Sequence, residues 1–161
     1  MVLDASEQIG GWYFRGSALW GIGKNLMIQG HHQAAMPWLE QSLTLYESAG
    51  ARLLVAIVWS EMAVCHLGLG DDRKSLELLE NALRVQREAG TVQNYLVALA
   101  NIGNVYLHRG DYLTAIAYYR RALELAREIK DPVSIQKWSG NIRLAYARLR
   151  QSVDRLDSRT A

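Results

Sequence analysis

Between residues 96 and 106 the large apolar side chains recur every three or four positions: Leu96, Leu99, Ile102 and Tyr106, with Gly103 beside Ile102. That spacing places them on one face of a helix. Gly110 breaks the pattern, because a residue without Cβ can take the left-handed conformation that ends a helix. Asp111 follows, where its carboxylate can accept from the free backbone N–H groups of a second helix. Ala115, Tyr119, Ala122 and Ala126 supply that helix's apolar stripe. It closes at Asp131-Pro132, proline being well tolerated in a first turn. The segment predicts two helices joined by a tight turn.

The same pattern returns when the chain is shifted against itself by 40 residues, without gaps. Gly30, Gly70 and Gly110 fall in register, followed by His31, Asp71 and Asp111. Ala35, Ser75 and Ala115 are small; Leu39, Leu79 and Tyr119 are large and apolar; Ser42, Ala82 and Ala122 are small again. Upstream, Ile22, Met62, Ile102 and Ile142 align, then Gly23, Ala63 and Gly103, then Leu26, His66, Tyr106 and Tyr146. Agreement in so many columns at one spacing is the signature of a repeat architecture. Gly103 and Ala63 are expected to let the paired helix approach closely, with Ala115 and Ala122 as the flat side of that contact. The expected class is all-α: a right-handed α-solenoid of antiparallel hairpins, three repeats and a closing helix, about seven helices. The boundaries read as an N-terminal segment 1–11, repeats 12–50, 51–90 and 91–130, a capping helix 131–152 and a polar tail 153–161.

Terminal units of a hairpin stack must differ from the rest, because each end otherwise bares an apolar face. The closing helix obeys this: Arg143 stands where a close second helix needs a small residue, and Ser139 stands where Leu99 and Trp59 stood. The other end differs. Trp12, Tyr13 and Phe14 cluster there. They either pack back on the first hairpin or form a self-association surface for a second copy or a neighbouring domain.

Composition narrows the function. Half the residues are hydrophobic and only two are proline, which fits a packed helical chain. The formal net charge of +2 argues against a nucleic-acid partner. Charge is uneven, however: residues 137–161 carry six Lys/Arg against two Asp. Cys65 is alone, so no disulfide framework exists, and a reduced, cytoplasmic setting is expected. The first residues lack a basic and apolar signal pattern, and no apolar run approaches about 18 residues, so no secretory leader or membrane span is expected. His31 and His32 are adjacent and face different ways on a helix, so they do not make a metal pair. Gly21 and Gly23 lie inside a helical pattern, not after a strand, which argues against a phosphate loop. The pairs Arg120-Arg121 and Arg73-Lys74 read as solvated helix faces. No catalytic constellation, metal site or cofactor is expected.

The stretch ANIGNVYLHRGDYLTAIAYYRRALELAREIKD resembles a tetratricopeptide repeat in the spacing of Gly103, Tyr106, Ala115, Tyr119 and Ala122. Trp59 sits where that family often places a Trp. The 40-residue unit and Ile102-Gly103-Asn104 resemble the longer subclass found in kinesin light chains, Pins-type scaffolds and bacterial regulators. The resemblance implies that the first helix of each hairpin lines a concave surface that binds another protein or peptide. On that face would lie Trp20, Lys24, Ile57, Glu61, Asn101, Asn104, Lys137, Asn141 and Arg148. Asparagine is a mediocre helix former, so three on one surface want a reason. Its amide both donates and accepts, which suits the backbone of an extended segment. Trp20 and Glu61 stand where chaperone-binding members place basic and amide residues, which disfavours that ligand. The expected function is a non-enzymatic scaffold for a protein or peptide partner. The alternative is a self-association or sensor module of a larger regulator.

Overall fold

A computed structural model describes residues 2–160, except for the side chains of residues 2–9, 156, 159 and 160. Among the described residues there are seven α-helices and no strand. They are α1 (Val2–Ile28), α2 (His32–Ser48), α3 (Arg52–Gly68), α4 (Asp72–Glu88), α5 (Val92–His108), α6 (Tyr112–Glu128) and α7 (Pro132–Thr160). The five central helices are each 17 residues long. Each turn has its left-handed residue in the same place: Gly30, Gly50, Gly70, Gly90 and Gly110 have φ between 65° and 82°, and Lys130 takes the sixth such position at 54°. Asp71 and Asp111 cap as their positions suggest, accepting from the backbone N–H of Lys74 at 3.0 Å and of Thr114 at 3.2 Å.

The chain divides into a unit ending at Gly90 and a unit beginning at Thr91. In the first, α1 packs on α2, α2 on α3 and α3 on α4. Glycine permits the tightest crossings. A Cβ at Gly23 would lie 2.8 Å from the Leu39 side chain, and one at Gly16 would lie 2.6 Å from the Tyr46 ring. Ser42 donates to the Gly16 carbonyl at 2.9 Å, which ties α2 to α1 at the same crossing. Ala35, Leu39, Val58, Ala63, Leu79 and Ala82 are buried beneath these contacts. Trp59 is partly open and packs on Ala56, Ala82 and Val85.

In the second unit α6 lies between α5 and α7. Gly103 meets the Tyr119 ring: a Cβ there would sit 2.8 Å from it. The close contact is therefore made through Tyr119, with Ala115 and Ala122 buried on either side of it along α6. Arg120 and Arg121 are not simply solvated. Arg120 donates to the Tyr146 hydroxyl on α7 at 2.6 Å, and Arg121 to the Tyr95 hydroxyl on α5 at 2.9 Å. Adjacent residues on a helix point about 100° apart, so this pair reaches both neighbours at once.

The two ends depart from the expected boundaries. α1 is continuous from Val2, so the segment 1–11 joins the first helix; Met1 and the side chains of residues 2–9 lie outside the description. α7 runs to Thr160, through most of the expected polar tail 153–161, whose last residue is outside the described ones. For α7 the physical reason is local: after Gly140 no Gly or Pro interrupts the helix.

Candidate functional site

The residues expected on the binding face fall into two groups, one in each unit. In the first unit Trp20 and Lys24 lie one turn apart on α1, and Ile57 and Glu61 one turn apart on α3. The Lys24 ammonium stands 3.3 Å from the Glu61 carboxylate and 4.7 Å above the Trp20 ring. Three of the four expected residues therefore form one cluster. The Glu61 side chain is only 16% exposed. Its pKa is raised: burial outweighs the Lys24 charge and hydrogen bond that pull it down. The Trp20 indole nitrogen is buried without a hydrogen-bond partner. Ile57 is half-buried beside the cluster's acid on α3.

In the second unit the asparagines are wired together. The Tyr119 hydroxyl donates to Asn104 Oδ1 at 2.7 Å, and Asn104 Nδ2 donates to Asn101 Oδ1 at 3.4 Å. Each acceptor oxygen in the chain is thus engaged, and the Asn101 Nδ2 group is left as a donor. Burial pushes the Tyr119 hydroxyl up to about 12, so it holds its proton as a donor. Tyr119 was not among the residues the sequence singled out as functional. Its signal was a polar tip in a column otherwise filled by Leu39 and Leu79. On α7, Lys137, Asn141 and Arg148 share a face with Leu144 at four-, three- and four-residue steps. Lys137 and Arg148 are exposed and Asn141 is half-buried. The Lys137 ammonium lies 4.6 Å over the Trp138 ring.

The N-terminal aromatics separate. Trp12 packs edge-on against Tyr46, with ring centroids 6.2 Å apart, so it belongs to the first hairpin. Tyr13 and Phe14 face outward, Phe14 being 73% exposed. Cys65 is fully buried, and burial, with the Glu61 charge adding to it, pushes its thiol up to about 11. It is an inert core residue at neutral pH. Among the described residues no group of three or more His, Cys, Asp or Glu side chains is arranged to hold a metal ion. Among them, too, no helix is long and apolar enough to cross a membrane.

Residues 54–128 match the tetratricopeptide repeat family model. No curated protein matches the chain in sequence. Solved structures match it in fold. The crystal structure of BtubC (BKLC) from P. vanneervenii aligns at a TM-score of 0.64 and 15% identity, over 91% of this chain and 65% of that one. This chain thus spans just under two thirds of that relative. The nearly identical TPR-like repeats of a Podosopora anserina protein described as a kinesin light chain align at 0.63 and 16% identity, over 90% of this chain and 76% of theirs. A second structure of those repeats, carrying one substitution, aligns at 0.62 and 15% identity, over 88% and 74%. The periodic glycine turns, the Gly103–Tyr119 crossing and these likenesses agree: residues 54–128 are tetratricopeptide repeats, and the chain has the helical-hairpin fold of those solved structures.

Proposed function

We propose that this chain is a protein-binding scaffold that holds an extended partner segment on the first-helix faces of its hairpins. Tetratricopeptide repeats generally mediate protein–protein interaction and are typically non-enzymatic, which supports the general reading. One observation carries the specific one. The Tyr119–Asn104–Asn101 chain spends the amide acceptors internally and leaves Asn101 as a donor, matched to a backbone carbonyl of an extended segment. In the same unit α7 carries Lys137 and Arg148, and Arg148 belongs to none of the ion pairs among the described residues. These favour acidic side chains in the bound segment. The first unit, taken by itself, has the half-buried Ile57 and Trp20, which favour apolar side chains in what it binds. A peptide array of extended acidic–apolar sequences tests the reading. Binders should weaken in Asn101→Ala and Arg148→Glu proteins, and unchanged affinity in both would sink it.

A second reading has its own observation. Phe14 and Ile22 are 73% and 42% exposed, two turns apart on one face of α1, which suits self-association through that end. Light scattering across concentration distinguishes it. A mass that rises with concentration and falls back in Phe14→Ala supports a dimer, and a constant mass near 18 kDa removes it.

A further inference from the structure

The repeat lets one hairpin be compared with the next, position by position, and the second hairpin has a hole. A cleft of about 230 Å³ opens where the end of α2 meets the start of α3 and the end of α4. Its apolar walls are Val55, Trp59 and Val85; Glu47 and Arg52 stand at its mouth. It is smaller than the roughly 300–1,000 Å³ typical of sites for drug-sized ligands, so it suits a single side chain.

Forty residues on, five of the six lining positions carry different side chains, Arg87 standing in register with Glu47 among them; the change that bears on the space is at Val55, and a second change lies outside the lining, at Asn81. Tyr95 stands in register with Val55, and Arg121 in register with Asn81. There the Tyr95 ring is half-buried, its hydroxyl accepts from Arg121 Nη2 at 2.9 Å, and the guanidinium lies 5.8 Å from the ring centroid. Leu99, one turn further along α5, is fully buried, whereas its counterpart Trp59 is partly open. The second hairpin therefore has a small aliphatic residue and a short amide where the third has an aromatic ring with a cation over it.

The mouth carries charge of its own. Arg52 is already paired with Glu88 at 3.0 Å. Glu47 takes part in none of the ion pairs of this unit among the described residues, so the mouth keeps an acid to spare. We infer that this cleft is a docking site for an aromatic side chain of a partner protein, flanked in the partner by a basic residue that pairs with Glu47. The ring would stand against Trp59 and Val55, with the cation at the mouth beside Glu47. The site shares no residue with the first-helix faces discussed above, so it stands or falls separately from them.

The test uses the full chain with its Trp59 indole N–H assigned by NMR, titrated with the blocked dipeptides acetyl-Tyr-Arg-amide, acetyl-Tyr-Glu-amide and acetyl-Ala-Arg-amide. The Tyr-Arg probe should give a saturable shift at Trp59. The Tyr-Glu probe should bind about two- to fivefold more weakly, the size of one exposed ion pair, and the Ala-Arg probe should not saturate. Val55→Tyr, which copies the third hairpin and fills the hole, should abolish the response while the circular dichroism spectrum stays that of the parent. If that variant does not fold, Glu47→Gln serves in its place and should erase the preference for Arg over Glu. A response that never saturates, equal binding of both tyrosine probes, or binding retained in a folded Val55→Tyr protein would each overturn the assignment.

Discussion

Lys130 occupies a backbone state that every other turn in the chain reserves for glycine, with φ of 54°. Left-handed backbone costs a residue bearing Cβ roughly 1–2 kcal/mol, and glycine gives part of that back through the freedom it adds to the unfolded chain. Lys130→Gly should therefore raise stability by about 0.5–1 kcal/mol, read as a shift in urea midpoint at constant slope. The next residue works the other way. Asp131 accepts from the Ser134 hydroxyl, from Gln93 Nε2 at 3.0 Å and from backbone N–H groups, which hold its carboxyl down at about 2. The unfolded carboxyl titrates near 3.9. The contribution is thus complete above about pH 4 and is lost as pH falls toward 2. Asp131→Ala should be less stable than the parent at pH 7, and the gap should narrow as pH falls from about 4 through 2; a pH-independent gap would disprove the cap's charged role. Tyr119→Phe removes the donor that fixes Asn104, and should cost about 1 kcal/mol while loosening Asn101. At this scale the sequence was partly legible. Asp111 and Gly110 declared their roles because caps and left-handed turns have local signatures. The Tyr119–Asn104 bond spans 15 residues and two helices, and the repeat columns gave both residues as packing and surface positions without joining them.

The period belongs to elements, and there the reading went furthest. Glycine at five of the six turns and apolar stripes between them fix helix number and approximate ends, since both signals are local. What escaped was the reach of α1, which runs straight through Gly10-Gly11, and of α7, which has no Gly or Pro after Gly140. Also hidden was the way Arg120 and Arg121 hold α6 to its two neighbours, since exposed cations look alike in sequence. α2 carries a flaw that was visible from the start but unplaced: Pro37 lies inside the helix, well past the first turn, and lacks an N–H for the carbonyl four residues back. Positions 77 and 117, its counterparts in the repeat, are Glu and Ala. Pro37→Ala should therefore stabilise the chain by about 1–3 kcal/mol. Thermal and urea unfolding both check this, and a loss of stability would mean that the proline's fixed φ matters more than the missing bond.

Over the whole molecule, charge is divided in a way the overall +2 conceals. The unit from Thr91 onward has eleven Lys/Arg against six Asp/Glu, net +5, and the unit before it has seven against ten, net −3. The first unit pairs its charges with one another, as Lys24 with Glu61, Arg52 with Glu88 and Lys74 with Glu77. The second unit directs cations at aromatic rings and leaves Arg143, Arg148 and Arg150 outward on α7. Such outward cations attract an acidic segment at a distance, and salt weakens that attraction because the screening length falls from about 8 Å at 0.15 M to 3 Å at 1 M. Contacts made by apolar side chains persist or strengthen under the same change. A segment bound through α7 should therefore lose affinity as salt rises, and Arg148→Glu should flatten that dependence as well as weaken binding about fivefold or more at low salt. If affinity is instead indifferent to salt in both proteins, the basic face of α7 serves solubility, and recognition rests on the uncharged donors and apolar residues of the first helices.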